Sequence, residues 1–134
     1  MGGTRFLTGF LLAALCLAQD NELFDAARRG DLAKLKTLVG SKADIDFRDA
    51  HGRTALHYAA TGPDSQCVQL LLDRGADIEA ASPNGTTPLM MAAQYGSEAS
   101  VDLLLKRGAD PKKRNQRNLA AADFAKLAGR EALV

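Results

Sequence analysis

Few side chains in this sequence combine residue type and spacing in a way that suits catalysis. The histidines are His51 and His57, and His57 is followed by Asp64, Ser65 and Cys67. A serine or cysteine nucleophile needs a histidine that takes its proton and a third group that orients the histidine. Nothing in the sequence places Ser65 or Cys67 on a strained turn beside an oxyanion pocket. We therefore predict no catalytic site and interpret His57 as a structural residue.

An acidic group near one turn contains residue types that ligate metal ions, namely Asp44, Asp46, Asp49 and His51. Carboxylates and imidazole are common ligands of divalent cations. Aspartates at turns, however, also accept hydrogen bonds from local backbone N–H groups. Asp44 recurs at a fixed interval further along the chain, which favours this second interpretation. We expect neither a metal ion nor another cofactor.

One run of cations is dense enough to attract an anion, and it contains Lys112, Lys113, Arg114 and Arg117. Such a cluster suits a phosphate-bearing partner or an acidic surface. No aromatic residues are interleaved for base stacking, so we expect no nucleic acid. Two interpretations stay open: a solvated loop tip, and a site for anions or a membrane surface formed by Lys112 to Arg117.

A set of residues recurs along the chain at a fixed interval of 33 positions. Residues 52–77 read GRTALHYAATGPDSQCVQLLLDRGAD, and residues 85–110 read GTTPLMMAAQYGSEASVDLLLKRGAD. Gly, Thr, Leu, Ala-Ala, Leu-Leu-Leu, Arg and Gly-Ala-Asp all stay in register. A constant period of about 20–50 residues is typical of a solenoid, in which each unit buries its apolar face only against its neighbours.

Each unit is predicted to contain two helices. Thr54 is a suitable N-cap for the first helix, and Pro88 occupies the first helical position in the next unit. Gly62 and Pro63 end the first helix, because glycine accepts a left-handed C-cap and proline cannot continue a helix. The second helix carries the broad apolar Leu-Leu-Leu face and ends at a glycine such as Gly75.

This order of turn, short helix, turn, longer helix and Gly-Ala-Asp resembles the ankyrin repeat. The resemblance implies an all-α fold, a solenoid of stacked helix-turn-helix units with short β-hairpin-like loops. Residues 19–134 would form this domain, with units at about 19–51, 52–84, 85–117 and 118–134. The first and last units are interpreted as caps. The resemblance also implies that His57 forms hydrogen bonds to neighbouring loops.

Two positions depart from the family pattern. Pro63 stands where the family has a glycine between the helices, and Lys42 replaces the glycine of Gly-Ala-Asp in the first unit. We expect local changes at both joints.

The N-terminus differs from the rest of the chain. Arg5 precedes an uncharged apolar run over residues 6–18, and the chain turns polar at Gln19. This pattern predicts a secretory signal peptide over residues 1–18, with small residues Cys16 and Ala18 before the cut. The run is shorter than the roughly 20 residues that a spanning helix needs. The alternatives are a hydrophobic helix packed on the solenoid and an uncleaved anchor.

Composition is that of one modest domain with balanced charge. The 134 residues are 46% hydrophobic and 25% charged, with 17 basic and 16 acidic side chains. This balance gives no global sign of nucleic acid binding. Removal of residues 1–18 would leave Cys67 as the only cysteine, so the mature chain has no intramolecular disulfide. We interpret Cys67 as a small buried residue.

The family resemblance implies that the exposed residues bind a partner protein of unknown identity, through the loop tips and the concave face of the short helices. The predicted contact residues are Phe47, Arg48, His51 and Arg53 on the first tip, Asn84 and Thr86 on the second, Lys112, Arg114 and Arg117 on the third, and Tyr58, Met91, Gln94 and Tyr95 along the helix edge. Phe47 is an aromatic in a polar turn, so it is either an interface anchor or a side chain tucked against Ala43 or the next unit.

The sequence thus predicts a monomeric, non-catalytic protein-binding module that acts outside the cytoplasm, in a periplasm or as a secreted protein. We expect no stable membrane span after signal cleavage. The alternative function is binding of an anion or membrane surface at the Lys112–Arg117 tip.

Overall fold

A computed structural model describes residues 21–40, 45–130 and 132. The predicted signal peptide, residues 1–18, and the first-unit joint at Lys42 lie outside the described residues. Within them every regular element is a helix, which confirms the all-α prediction. The helices are α1 (21–29), α2 (Leu32–Gly40), α3 (Ala55–Ala60), α4 (Gln66–Asp73), α5 (Pro88–Tyr95), α6 (Glu98–Lys106) and α7 (Ala121–Leu127).

The helices form two rows, as expected for a solenoid. In one row α3 packs on α5 and α5 on α7, and in the other α2 packs on α4 and α4 on α6. Small residues such as Ala59, Ala60 and Ala92 are buried in the first row, where they allow the helices to approach closely. Larger residues such as Leu71 and Leu104 are fully buried in the second row.

Local capping fixes where the helices begin and end. The hydroxyl oxygen of Thr87 accepts a hydrogen bond from the Met90 N–H at 3.4 Å, and that of Ser97 accepts one from the Ser100 N–H at 3.1 Å. These side chains satisfy backbone donors that have no partner inside a helix. Thr54 occupies the predicted N-cap of α3, and Pro88 occupies the predicted first position of α5. The prediction of a left-handed C-cap at Gly62 was wrong, because the C-cap of α3 is Thr61 and the φ of Gly62 is not positive.

The joint at Pro63 is altered, as the departure from the family pattern predicted. Helix α3 ends at Ala60, whereas its counterpart α5 continues to Tyr95, the position equivalent to Gly62. Helix α4 begins at Gln66, whereas its counterpart α6 begins at Glu98, which is equivalent to residue 65. Helix α4 therefore begins one residue later in the repeat.

The loops between units are hairpin-like turns with the same backbone hydrogen bonds each time. The Asp49 N–H donates to the Arg53 carbonyl at 3.0 Å, and the Gly52 N–H donates to the Asp49 carbonyl at 2.9 Å. The same pair of bonds recurs in the loops that contain Ser82 and Asn115. The hairpin-like loops predicted from the family resemblance are therefore present, although the described residues contain no β-strand.

Asn118 occupies the last of these turns at a position where the other units have glycine. Its φ is 61°, compared with 70° at Gly52 and 82° at Gly85. A side chain destabilises this left-handed conformation, although asparagine tolerates it better than most residues.

We predict that Asn118→Gly raises the free energy of unfolding by about 0.5–1 kcal/mol, because it removes this conformational cost. Urea denaturation of purified protein measures the change. Arg117→Gly, in the same turn but without a positive φ, is the matched control and should not stabilise the protein. Equal effects of the two substitutions would contradict the explanation.

Candidate protein-binding surface

The three loop tips are bound to one another in a row. One guanidinium nitrogen of Arg48, Nη1, donates to the Gly52 carbonyl at 2.8 Å and to the Ala81 carbonyl of the next loop at 2.6 Å. The backbone N–H of Gln116 in turn donates to the Asn84 carbonyl at 2.9 Å. The tips therefore present their exposed side chains from a connected backbone.

Acidic side chains below the tips bind the backbone of the following unit. The Asp77 N–H donates to Oδ1 of Asp46 at 2.9 Å, and the Asp110 N–H donates to Oε1 of Glu79 at 2.7 Å. Asp46 and Glu79 occupy equivalent repeat positions. Among the described residues no group of three or more His, Cys, Asp and Glu side chains is arranged to hold a metal, and Asp44 lies outside them. Asp46 therefore binds the backbone of the next unit. The predicted local role is seen at Asp77, whose Oδ1 accepts a hydrogen bond from the Glu79 N–H at 3.0 Å.

Asp49 organises the first tip. Its Oδ1 accepts hydrogen bonds from the N–H groups of His51 at 2.9 Å and Arg53 at 3.0 Å, and its Oδ2 accepts one from the Tyr58 hydroxyl. Partial burial alone would raise the pKa of Asp49, but these hydrogen bonds outweigh it and hold the pKa below its usual value. Burial and the bond to Asp49 raise the pKa of Tyr58.

Three aromatic rings pack together at this end of the solenoid. The Phe24 ring centroid lies 6.1 Å from that of Phe47 and 5.6 Å from that of Tyr58. Phe47 therefore packs back onto α1 of its own unit. The expected contact with Ala43 lies outside the described residues, and the ring contact is not with the next unit. Phe47 remains half-buried, so part of its ring stays available to a partner.

His57 connects two units from a fully buried position. Its Nδ1 accepts a hydrogen bond from the Thr54 N–H at 3.1 Å, so the proton of the neutral ring is on Nε2, which donates to the Thr86 carbonyl at 2.9 Å. Burial lowers the pKa of His57 below its ordinary 6.5. This geometry confirms the structural role predicted for His57.

Cys67 lies in the core of α4 and is 1% exposed. Burial raises the pKa of its thiol to about 11, so the sulfur stays protonated at neutral pH and is a poor nucleophile. Its interpretation as a buried apolar residue is confirmed.

The structure divides the predicted contact residues by exposure. Tyr95 is 65% exposed at the end of α5, whereas Met91 on the same helix is only 8% exposed and offers little area. The exposed set also includes Arg48, His51, Asn84, Lys112, Arg114 and Arg117. Half-buried positions are occupied by Phe47, Arg53, Tyr58, Thr86 and Gln94. The hydrogen bonds between loops described above connect the tips, whereas Tyr95 lies apart from them at the end of α5.

Half of the basic tip is already paired within the protein. Nζ of Lys113 lies 3.6 Å from Oε2 of Glu79. Nη1 of Arg114 donates to the Asn118 carbonyl at 2.7 Å and lies 3.6 Å from Oδ2 of Asp123. In the described structure Lys112 and Arg117 form no ion pair, so two cations of the run stay available for a partner.

Comparison with known proteins identifies the family. A family described as ankyrin repeats, in three copies, matches residues 23–115, which is more than half of the chain. The chain belongs to the ankyrin-repeat family.

Similar ankyrin-repeat proteins resemble only parts of this chain. Diacylglycerol kinase zeta from Rattus norvegicus is 38% identical over 48% of this chain, and ankyrin repeat domain-containing protein 29 from Homo sapiens is 49% identical over 39%. Osteoclast-stimulating factor 1 from Monopterus albus is 34% identical over 54%. The matched segments span 7%, 18% and 34% of these three proteins. The kinase match thus covers only a small part of that enzyme. Ankyrin repeats in general mediate protein–protein interaction.

The sequence analysis did not predict one exposed apolar surface, which lies on α6. Leu105 of α6 is 41% exposed, although its equivalent in the preceding unit, Leu72, is only 9% exposed. No contact residue was predicted there. The period gave no signal, because it assigns Leu72 and Leu105 the same position of the repeat.

None of the described helices is both long and apolar enough to span a membrane.

Proposed function

We propose that this protein is a non-catalytic module that binds a partner protein outside the cytoplasm, through the three loop tips and the exposed edge of the short helices. The observation that carries the proposal is Tyr95. Its side chain is 65% exposed, and the equivalent positions in the neighbouring units are Gly62 and Ala128. The repeat therefore does not require an aromatic there, and exposed aromatics are favoured as interface anchors.

The place of action is proposed from residues 1–18. Their basic start, uncharged apolar run and small residues before Gln19 fit a cleaved secretory signal. The partner would then be an extracytoplasmic protein, such as one of a bacterial periplasm. Intact-mass measurement of the protein recovered from fractionated cells tests this part. A soluble species that begins at Gln19 supports export, whereas a full-length soluble species in the cytoplasm contradicts it.

Photo-crosslinking tests the binding surface itself. A photoreactive phenylalanine analogue is placed at Tyr95 in one variant, and at Gln69 of α4, which is exposed on the opposite row of helices, in a matched control. We expect a discrete crosslinked protein with the Tyr95 variant alone. Tyr95→Ala should then weaken the purified complex by about tenfold or more. Equal crosslinking at the two positions, or none at either, would contradict the proposed surface.

A further inference from the structure

Positive charge is concentrated on the three loop tips, which comprise residues 47–53, 80–86 and 113–119. The tips carry five basic side chains and one acidic side chain, although the whole chain has 17 basic and 16 acidic residues. The five are Arg48, Arg53, Lys113, Arg114 and Arg117. All of them lie on the first and third tips, and the second tip has no charged side chain. The tip surface therefore presents two cationic patches with a neutral tip between them.

The carboxylates near these cations are already bound within the protein. Asp49, the acidic residue of the first tip, accepts hydrogen bonds from two backbone N–H groups and from a tyrosine hydroxyl. Asp123 lies 3.6 Å from Arg114, and its Oδ2 also accepts a backbone N–H at 2.9 Å. In the part of the chain that the structure describes, Arg48 and Arg117 form no ion pair. These two cations are therefore available to carboxylates of a partner.

The guanidinium groups of Arg48 and Arg114 are held in the same way on the two cationic tips. The two arginines occupy equivalent positions two repeats apart, and Ala81 occupies the position between them. Each Nη1 donates to the carbonyl four residues later in its own turn, that of Gly52 at 2.8 Å and that of Asn118 at 2.7 Å. The Nε and Nη2 groups of both arginines form no hydrogen bond in the described structure. Two anchored guanidinium groups therefore keep N–H donors available for carboxylates.

The repeat sets the distance between these two guanidinium groups. Adjacent packed helices lie about 8–10 Å apart, so equivalent positions two repeats apart are separated by about 16–20 Å. The second tip lies between them and exposes the uncharged residues Pro83 and Asn84. A segment that reaches both arginines must span this distance and needs no charge at its middle.

We propose that the tip surface binds an acidic segment of the partner protein, in which two groups of carboxylates lie about 16–20 Å apart with neutral residues between them. This inference rests on the proposed function, because it names the chemistry of that partner. One carboxylate group pairs with Arg48, and the other pairs with Arg114 and Arg117. Planar carboxylates match the geometry of the guanidinium donors. Complementary charge of this kind also selects the acidic partner among neutral ones.

The neutral second tip favours a protein segment over a polyanion. A nucleic acid backbone or an anionic lipid surface presents its negative charge without a gap. Either of them would leave charge unpaired above the second tip. A protein segment can place neutral residues there, so the order of cation, gap and cation fits an acidic protein best.

Two labelled peptides of identical composition test the spacing by fluorescence anisotropy with the purified protein at low salt. The spaced peptide has an Asp-Asp pair on each side of four prolines, and this spacer, at about 3.1 Å per residue, holds the pairs about 19 Å apart. The clustered peptide has all four aspartates before the four prolines. We expect the spaced peptide to bind about fivefold more tightly or better, because it pairs with both cationic tips at once.

Protein variants locate the binding. Arg48→Gln and Arg114→Gln should each reduce the preference for the spaced peptide to less than about twofold, because each removes one anchored guanidinium group. Arg74→Gln is the matched control and should leave both affinities unchanged. Arg74 is exposed at the end of α4, on the opposite row of helices, and forms no ion pair in the described residues.

One further variant separates binding from loop structure. Arg48 also bonds the Ala81 carbonyl of the second loop, so circular dichroism checks the fold of its variant. The exposed side chain of Arg117 forms no hydrogen bond or ion pair in the described residues, so Arg117→Gln should preserve the fold. It should still weaken the spaced peptide by about twofold or more.

Several results would overturn the proposal. They are equal binding of the two peptides, no binding of either peptide, and an equal loss with Arg74→Gln and Arg114→Gln. Vesicles of phosphatidylcholine with phosphatidylserine, and a single-stranded oligonucleotide, are tested on the same variants. Tighter binding of either one than of the spaced peptide, lost with Arg114→Gln, would show that a polyanion and not an acidic protein fits the tips.

The peptide assay and the crosslinking at Tyr95 can fail separately. Both peptides contain the same prolines, so any contact with Tyr95 affects them equally, and Tyr95→Ala should leave the preference for the spaced peptide unchanged. Loss of the preference while Tyr95 still crosslinks to a partner rejects the acidic chemistry and retains the binding surface. A preserved preference without crosslinking supports the acidic chemistry and rejects Tyr95 as the anchor.

Discussion

Gly96→Ala is expected to lower the free energy of unfolding by about 3 kcal/mol or more. A Cβ atom at this position would lie 2.1 Å from the Ala60 carbonyl oxygen and 2.8 Å from the Ala92 Cα atom. Both are backbone atoms. Relief of the contact with Ala60 requires the second and third units to move apart, and relief of the contact with Ala92 requires a change in the turn after α5. Urea denaturation followed by circular dichroism measures the loss.

Two other glycines serve as controls for Gly96→Ala. A Cβ atom added at Gly40 would meet no atom of the described residues within 4 Å, and the φ there is not positive, so Gly40→Ala should change stability by no more than about 0.5 kcal/mol. Gly108 also has open space but a φ of 97°, so Gly108→Ala should cost about 1 kcal/mol through backbone strain alone. A loss at Gly96 no larger than that at Gly108 would show that contact with Ala60 is unimportant.

His57→Ala is expected to cost about 3 kcal/mol of stability, because it leaves a cavity and two backbone groups without partners. The imidazole satisfies the Thr54 N–H within its own unit and the Thr86 carbonyl of the next loop, and the ring is fully buried. Denaturant titration measures this loss. A change below about 1 kcal/mol, the range of an ordinary surface substitution, would contradict the connecting role.

His57 should also make stability depend on pH. Burial, opposed by the bond to the Thr86 carbonyl, holds its pKa below 6.5, and Arg48 and Arg53 lower it further while Asp49 opposes them. Between the folded pKa and 6.5 the unfolded chain binds more protons than the native protein. Stability is therefore complete above pH 6.5 and falls as the pH drops below it, by up to about 1.4 kcal/mol per pH unit.

The pH profile of His57→Ala provides the comparison. The slope just below pH 6.5 should disappear in this variant. The lowered pKa values of Asp25 and Asp49 place their titration below 3.8, outside this window. His51 is exposed and serves as the matched site, so His51→Ala should retain the slope. A slope that persists without His57 would assign the pH dependence to another group.

The candidate site could be predicted from the sequence only in part. The 33-residue period predicted where the loop tips lie in the sequence. The structure shows that hydrogen bonds from Arg48 and Gln116 connect them. The sequence did not reveal that Met91 is buried or that Lys113 and Arg114 are paired. These outcomes depend on side chains from the neighbouring unit, which a pattern within one unit does not contain. Export stays a prediction, because residues 1–18 lie outside the described chain.

The sequence by itself determined the helix pairs and the N-cap position of Thr54, and the family resemblance implied the role of His57. Each unit contacts only its neighbours, so its caps, glycine turns and apolar spacing are encoded within about 33 residues and repeat visibly. Only the tertiary structure decided which equivalent residues are covered. Leu72 is buried and Leu105 is exposed, although both occupy the same position of the repeat. The difference arises because α6 packs on α4, whereas no described helix packs on the outer face of α6.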